Sequence, residues 1–337
     1  MLLKSDGTVW ATGINTFGQL GIAPKSRIRI DNFSRIFFGG AKAMAAGCWH
    51  SMVLKQDGSV WSTGRNKYGQ IGDGSNTDRH GFVQVIPRHV KAVAAGTGHS
   101  CVIMQDGSVW ATGFNLHGQL GDDTTVDKNT FVQVISGGAD AVAAGSDHSM
   151  VLKQDGSVWT TGLNSRGQLG DGSAGLQKSF VQVVFSEATA IAAGGYHSMV
   201  LKQDGSVLVT GDNKYGQLGN GNLEVKYAMQ KVAHGVKAIA AGFDHSMVLK
   251  HDRSVYITGR NNFGQLGHGP RTFRSTFTKV ISSGVQVIAA GDWHSMVLKD
   301  DGSLWATGAN DYGQLGDGSK AMAKNTFERV LLSREGT

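Results

Sequence analysis

The stretch AAGSDHSMVLKQDGSVWTTG, residues 143–162, decides the fold. It contains three short runs of β character. Ala143-Ala144-Gly145 is built of small residues, His148 to Lys153 alternates polar with apolar, and Ser157 to Gly162 carries Val158 and Trp159. Alternation of this kind marks a half-buried strand. Asp155-Gly156 between two such runs marks a hairpin, because glycine accepts the positive φ of a tight turn. Beyond a loop with Asn164 and Gly167-Gln168-Leu169-Gly170 comes a fourth run, Phe180-Val181-Gln182-Val183-Val184. No segment shows the 3.6-residue period of an amphipathic helix.

The same unit recurs along the chain. Gly-Gln-Leu-Gly begins at Gly18, Gly118, Gly167, Gly216, Gly264 and Gly313, and Gly-Gln-Ile-Gly at Gly69, giving steps of 51, 49, 49, 49, 48 and 49 residues. Ala-Ala-Gly-x-x-His-Ser places His50, His99, His148, His197, His245 and His294. Four antiparallel strands repeated seven times predict an all-β, seven-bladed β-propeller of four-stranded antiparallel blades, a single domain over residues 1–337. Blades converge on an axis where space is short, so the Ala-Ala-Gly strand belongs innermost and the Phe/Val strand outermost.

Two departures stand out. In one turn Arg253 replaces the glycine, which predicts either another turn type or a positive φ costing about 1 kcal/mol. At the chain ends, Met1 aligns with Met52, Met150 and Met199 in mid-strand, and residues 327–337 stop just before an Ala-Ala-Gly strand would begin. In register, the ring lacks roughly eight residues there. One inner strand and its His-Ser are therefore expected to be missing at the seam. Either the native protein extends beyond this sequence or the ring closes imperfectly.

Composition narrows the function classes. The net charge is +6 and the pI near 9.2, but Lys and Arg are scattered, without a run or basic tail. Much of the excess is one recurring position, Lys4, Lys55, Lys153, Lys202, Lys250 and Lys299, which a ring spreads around its surface. A nucleic-acid binder concentrates its charge, so nucleic acid is not the expected partner. Cys48 and Cys101 occupy different repeat positions and form neither a disulfide framework nor a metal motif. No apolar run approaches ~18 residues, and the N-terminus lacks a signal-peptide core. The expectation is a monomer, cytoplasmic or nuclear, with no membrane association, cofactor or metal.

The repeated Ala-Ala-Gly-x-x-His-Ser, Asp-Gly-Ser-Val-Trp and Gly-x-Asn-x-x-Gly-Gln-Leu-Gly resemble the repeats of the regulator of chromosome condensation family. The resemblance spans essentially the whole chain. It implies a seven-bladed propeller whose sequence repeat is offset from the blade, so that the chain ends share one blade. It also implies protein–protein contact through loops. Members include exchange factors for the Ran GTPase, a plant ultraviolet-B receptor, ubiquitin-ligase modules and a bacterial β-lactamase inhibitor. Fold alone selects none of these.

The repeated residues read as scaffold. Adjacent residues on a strand point to opposite faces, so each Ser is badly placed for activation by its neighbouring His. A constellation recurring six times is also no active site. The six histidines are expected to hydrogen-bond backbone near blade junctions. Their ~49-residue spacing also leaves them without ligand companions for a metal. Asn15, Asn66, Asn115, Asn164, Asn213, Asn261 and Asn310 are followed by no helix and no Lys-Ser/Thr, so their amides should tie each loop to its own backbone rather than cradle phosphate. Trp10, Trp61, Trp110, Trp159 and Trp305, with Leu208 and Tyr256 in the same place, should pack the blades.

Positions that vary between matched units carry the functional expectation. Before each repeat His lie Trp49, Gly98, Asp147, Tyr196, Asp244 and Trp293. Before each Gly-Gln-Leu/Ile-Gly lie Phe17, Tyr68, His117, Arg166, Tyr215, Phe263 and Tyr312. Aromatic and Arg side chains on the loops of a rigid scaffold make interface hot spots. The expected partner-binding set is Trp49, Asp147, Tyr196, Asp244, Trp293, Tyr68, Arg166, Tyr215 and Tyr312. Trp49 and Trp293 should flank the seam, and Asp147, Tyr196 and Asp244 should lie on three successive blades. The reading is a non-enzymatic scaffold or regulatory propeller that binds a protein. The alternatives are an exchange factor for a Ran-like small GTPase, or a chromatin-associated propeller. The first is weakened because no unit is long enough to carry the protruding wedge that the resemblance ties to exchange. The ultraviolet-B reading fails on Cys48, Thr97, Ser146, Gly195, Phe243 and Asp292, which stand two before each His where a Trp is needed.

Overall fold

The computed structural model describes residues 1–22 and 29–331. They form seven antiparallel sheets arranged as a seven-bladed propeller, six of four strands and one of three. The fourth blade shows the unit. Its inner strand is Ala139–Ala144, its second His148–Lys153, its third Val158–Gly162 and its outer strand Gln177–Val184, paired in that order. Small residues line the axis and the Phe/Val strand lies outside, as the taper of the ring demands. The outer strand starts three residues earlier than its apolar pattern suggests, because pairing resumes beyond a register shift with Gly162 opposite Gln177.

An even number of antiparallel strands has a geometric consequence. The loop between inner and second strands leaves from the same end of the blade as the loop between third and outer strands. The Asp-Gly hairpins and the links between blades leave from the other end. Each blade thus has a loop face and a hairpin face.

The second strand is the buried spine. Met150, Val151 and Leu152 are enclosed, as are Met52 and Val53 or Met199 and Val200 at the equivalent places. Full burial of such side chains contributes roughly 1.5–3 kcal/mol each. On the hairpin face, Trp159 Nε1 donates to Ser157 Oγ at 3.0 Å, and the Lys153 ammonium lies 4.3 Å over the indole ring. Lys4 and Lys299 cover Trp10 and Trp305 in the same way. Most of the recurring lysines therefore cap their own blade's aromatic residue. In the long loops, Asn66 Oδ1 accepts from Ile71 N (3.0 Å), its Nδ2 donates to Asp73 Oδ1 (3.1 Å), and Gln70 Oε1 accepts from Tyr68 N (3.0 Å). The amides do bind their own loop.

The repeat histidines correct one expectation. Five of the six rings do not bond backbone but reach a serine hydroxyl of the next blade. His50, His99, His148, His197 and His245 place Nε2 at 2.8–3.0 Å from Oγ of Ser100, Ser149, Ser198, Ser246 and Ser295. Each of these hydroxyls donates its one proton, at 2.7 Å, to the carbonyl of Gln70, Gln119, Gln168, Gln217 or Gln265 in the preceding blade's loop. Nε2 must therefore be the protonated nitrogen, donating to Ser, while Nδ1 is bare and bonded to nothing. Burial lowers these five pKa values, to about 3 for His50, His148 and His245 and about 4 for His99 and His197.

The first blade consists of Leu2–Leu3, Val9–Ile14 and Arg29–Phe37, with no inner strand among the described residues. The expectation concerning the last residues, 332–337, falls outside that range, and so does any strand they would add to this blade. Closure of the ring rests on the outer strands. Thr12 Oγ1 donates to Gly313 O at 2.6 Å, just as Thr63 donates to Gly18 O. Asn32 bridges Asp317, and Trp10 and Phe33 share a core with Leu304 and Leu315. With no inner strand of the first blade among the described residues, His294 and Met296 of the seventh blade are half-buried where their counterparts are enclosed.

Arg253 holds the glycine conformation, with φ of 64°. Arg253→Gly is expected to raise stability by about 1 kcal/mol or slightly less, because the surface pair with Asp300 is lost, as chemical denaturation would read. The buried histidines set an acid limit. The unfolded chain binds their protons from about pH 6.5 downward while the fold refuses them. Stability should be complete above that pH and fall continuously toward about pH 4, above most of the carboxylate range. A melting temperature constant from neutrality to pH 4.5 would contradict this account.

Candidate functional site

The loop face gathers the positions at which the repeats differ. Because blades are staggered, the residue before Gly-Gln-Leu-Gly in one blade meets the residue before His in the next. Phe17 stands edge-on to Trp49 at 5.5 Å between ring centroids, and Phe263 lies 5.7 Å from Trp293. Tyr68 covers Gly98, where an added Cβ would come 3.6 Å from its ring. His117 stands close enough to Asp147 to act on its charge, and Arg166 acts likewise on Tyr196. Tyr215 and Asp244 are joined through Arg260. Tyr312 alone of the set has no counterpart before a His among the described residues, and its ring is 53% exposed.

Three residues outside the expected set tie these pairs together. Phe243 lies 5.6 Å from Tyr196 and 5.0 Å from Trp293, making an aromatic arc across the fifth, sixth and seventh blades. Phe114 lies 4.7 Å from Tyr68 and 5.9 Å from His117. Arg260 is clamped: its guanidinium lies 4.7 Å over Tyr215 and 4.8 Å over Trp293, and Nη1 reaches Asp244 Oδ2 at 3.2 Å. The signal that finds them is again variation at a fixed repeat position. Phe243 stands two before its His, and Phe114 and Arg260 directly follow the glycine that ends the third strand.

Inside the face opens a central cavity of about 620 Å³ walled by the Ala-Ala-Gly strands. At its mouth Cys48 Sγ donates to Asp292 Oδ2 at 3.2 Å and lies 3.3 Å from Thr97 Oγ1. This contact joins the second blade to the seventh across the inner-strand position of the first. Burial, then the Asp292 charge, raises the Cys48 thiol to about 12, so it is no nucleophile at neutral pH. Desolvation also raises Asp147, Asp244 and Asp292 above the usual carboxylate range. The His–Ser contacts are fully enclosed, with no carboxylate on Nδ1, so they hold blades together and present nothing to a substrate.

This architecture has relatives. The family model of the RCC1-like domain matches residues 80–335, and that of the regulator of chromosome condensation (RCC1) repeat matches residues 41–70. The chain belongs to the RCC1-like domain family. Protein RCC2 of Homo sapiens is 35% identical over 82 residues, and the RCC2 homolog of Xenopus laevis 37% over 79, each covering 23% of this chain. The chain matches 15% of the length of either relative. Among solved structures, human WBSCR16 superposes with a TM-score of 0.85 at 22% identity, covering 96% of this chain and 94% of its own. Prp20p from Saccharomyces cerevisiae gives 0.86 at 22%, covering 98% and 87%. At that identity the likeness establishes the propeller.

Asp244 is 5% exposed, and Arg260 supplies its counter-charge. Arg260→Ala should destabilise the protein by about 3 kcal/mol, and adding Asp244→Asn should restore a good part of the loss. A thermodynamic double-mutant cycle measures both. Simple additivity of the two substitutions would show that the clamp is not a unit.

Proposed function

We propose that this RCC1-like propeller is a non-enzymatic interaction platform that holds a protein partner on its loop face. The observation carrying this reading is the pairwise meeting of variable aromatic and charged residues there. Trp49, Phe243 and Trp293 line one cavity mouth, Tyr196 packs edge-on against Phe243, and all four are half-buried. Such residues dominate interface energies when they sit on a rigid frame. The hairpin face, by contrast, repeats a Lys-over-aromatic contact on most blades. Contact with proteins is also in keeping with yeast Prp20p, whose structure is described with its binding to Gsp1p and histones.

The test is affinity capture with the wild type beside a Trp49→Ala/Tyr196→Ala/Trp293→Ala triple and a Lys153→Ala/Lys299→Ala control. Proteins recovered by the wild type and the lysine control but depleted about tenfold by the triple support the loop face. Equal recovery by all three removes this site assignment.

A further inference from the structure

The Arg260 clamp recurs elsewhere on the ring without its arginine. Two blades back, Asp147 takes the place of Asp244, Tyr196 that of Trp293, and His117 that of Tyr215. The backbone is the same, since Leu163 N donates to Asp147 O at 2.8 Å and Arg260 N to Asp244 O at 2.8 Å. The difference is the side chain in the middle: Leu163 stands where Arg260 stands. Asp147 is half-buried, and among the described residues no cation pairs with its carboxylate. Phe243 closes one side of Tyr196, and the exposed Arg166 acts on it from the fourth blade's loop.

We infer that Asp147, His117 and Tyr196 form a socket for an arginine side chain presented by the protein partner. This rests on the reading of the loop face as a docking surface and names the chemistry of its partner. A guanidinium suits the place because it offers a flat face to aromatic rings and N–H groups to a carboxylate at once. The molecule demonstrates this with its own Arg260. Charge favours the same occupant: desolvation of the Asp147 carboxylate raises its pKa, His117 opposes that shift, and among the described residues no Arg or Lys pairs with it. Asp147, Asp244 and Asp212 act on Tyr196 in the same sense and Arg166 in the opposite one, with Asp244 already paired to Arg260. A leucine at the centre leaves the floor of the socket apolar, which strengthens an ion pair formed above it.

A short probe separates this inference from the platform reading. The probe is the peptide acetyl-Gly-Arg-Gly-amide, with the citrulline peptide as its neutral isostere, followed by ligand-observed NMR. The arginine peptide should bind the wild type, and the citrulline peptide about tenfold more weakly. Asp147→Asn should weaken the arginine peptide by about tenfold, and so should Leu163→Arg, which fills the socket from within. Arg166→Ala should leave binding unchanged or tighten it. Melting temperatures of the variants establish that they fold, and Asp147→Asn carries the test alone if Leu163→Arg does not. No binding to the wild type, or equal binding by wild type and Asp147→Asn, overturns the socket. Partner loss by the alanine triple would still stand in that event, since it reports on the face as a whole.

Discussion

The hydrogen bond from His Nε2 to the serine hydroxyl of the next blade is the constraint on which the rest of the ring depends. A propeller blade is stable only against its neighbours, and a buried polar group at the junction is costly unless satisfied. Here one serine serves two partners. It accepts from His99 and donates to Gln119, for example, so the third blade's second strand and its long loop are both fastened to the fourth. The glycine of Ala-Ala-Gly belongs to the same device. A Cβ at Gly96 would lie 2.5 Å from Gly145 O and 2.5 Å from the His99 ring, so the inner strand must lack a side chain where the imidazole lies over it. Small inner residue, histidine, serine and loop glutamine are thus one unit. The near-constant repeat length is the spacing that lets this unit close between blades.

The first blade shows what the ring tolerates. No His–Ser staple forms between the seventh and first blades among the described residues, yet the other junction contacts persist. Thr12 still donates to Gly313, Asn32 still bridges Asp317, and Phe33 still covers Gly316 as Phe180 covers Gly121. Closure therefore draws on the outer three strands, where each blade offers most apolar area. The inner strand and its staple act chiefly on the axis, and there Cys48 and Asp292 join the second blade to the seventh.

The fold was legible because its information is local. A two-residue alternation, an Asp-Gly turn and a fixed step need no knowledge of distant contacts, and they place His148–Lys153 and Val158–Gly162 within a residue of where they lie. Even Arg253 could be read, since a turn that requires φ > 0 does so whatever surrounds it. The histidine's acceptor could not be read. Ser149 is adjacent to His148 in the chain, but its partner is His99, and that choice depends on the stagger between blades. The site was half legible for the same reason. Variation at fixed repeat positions marked Trp49, Tyr196 and Trp293. Their association with Phe17, Phe243 and Phe263 required knowing which loop of one blade overlies which loop of the next.

That overlap explains why this scaffold can vary on its loop face. The polar groups of the His–Ser staples are satisfied by repeat residues beneath the loops, so the side chains before a His or before a Gly-Gln-Leu-Gly are not needed by them; buried Asp244 is satisfied separately by Arg260. Such positions can take Trp, Asp, Tyr or Gly without disturbing the stack, as the six copies show. Strand parity then sends every one of them to a single face, and stagger brings them together in twos. One substitution at the centre of such a pair changes its chemistry outright. With Arg260 the carboxylate and rings form a closed, internally paired surface; with Leu163 the same backbone leaves Asp147 without that guanidinium. The chemistry of the loop face is therefore set, pair by pair, by whether a guanidinium stands at the centre, as at Arg260, or an apolar side chain, as at Leu163.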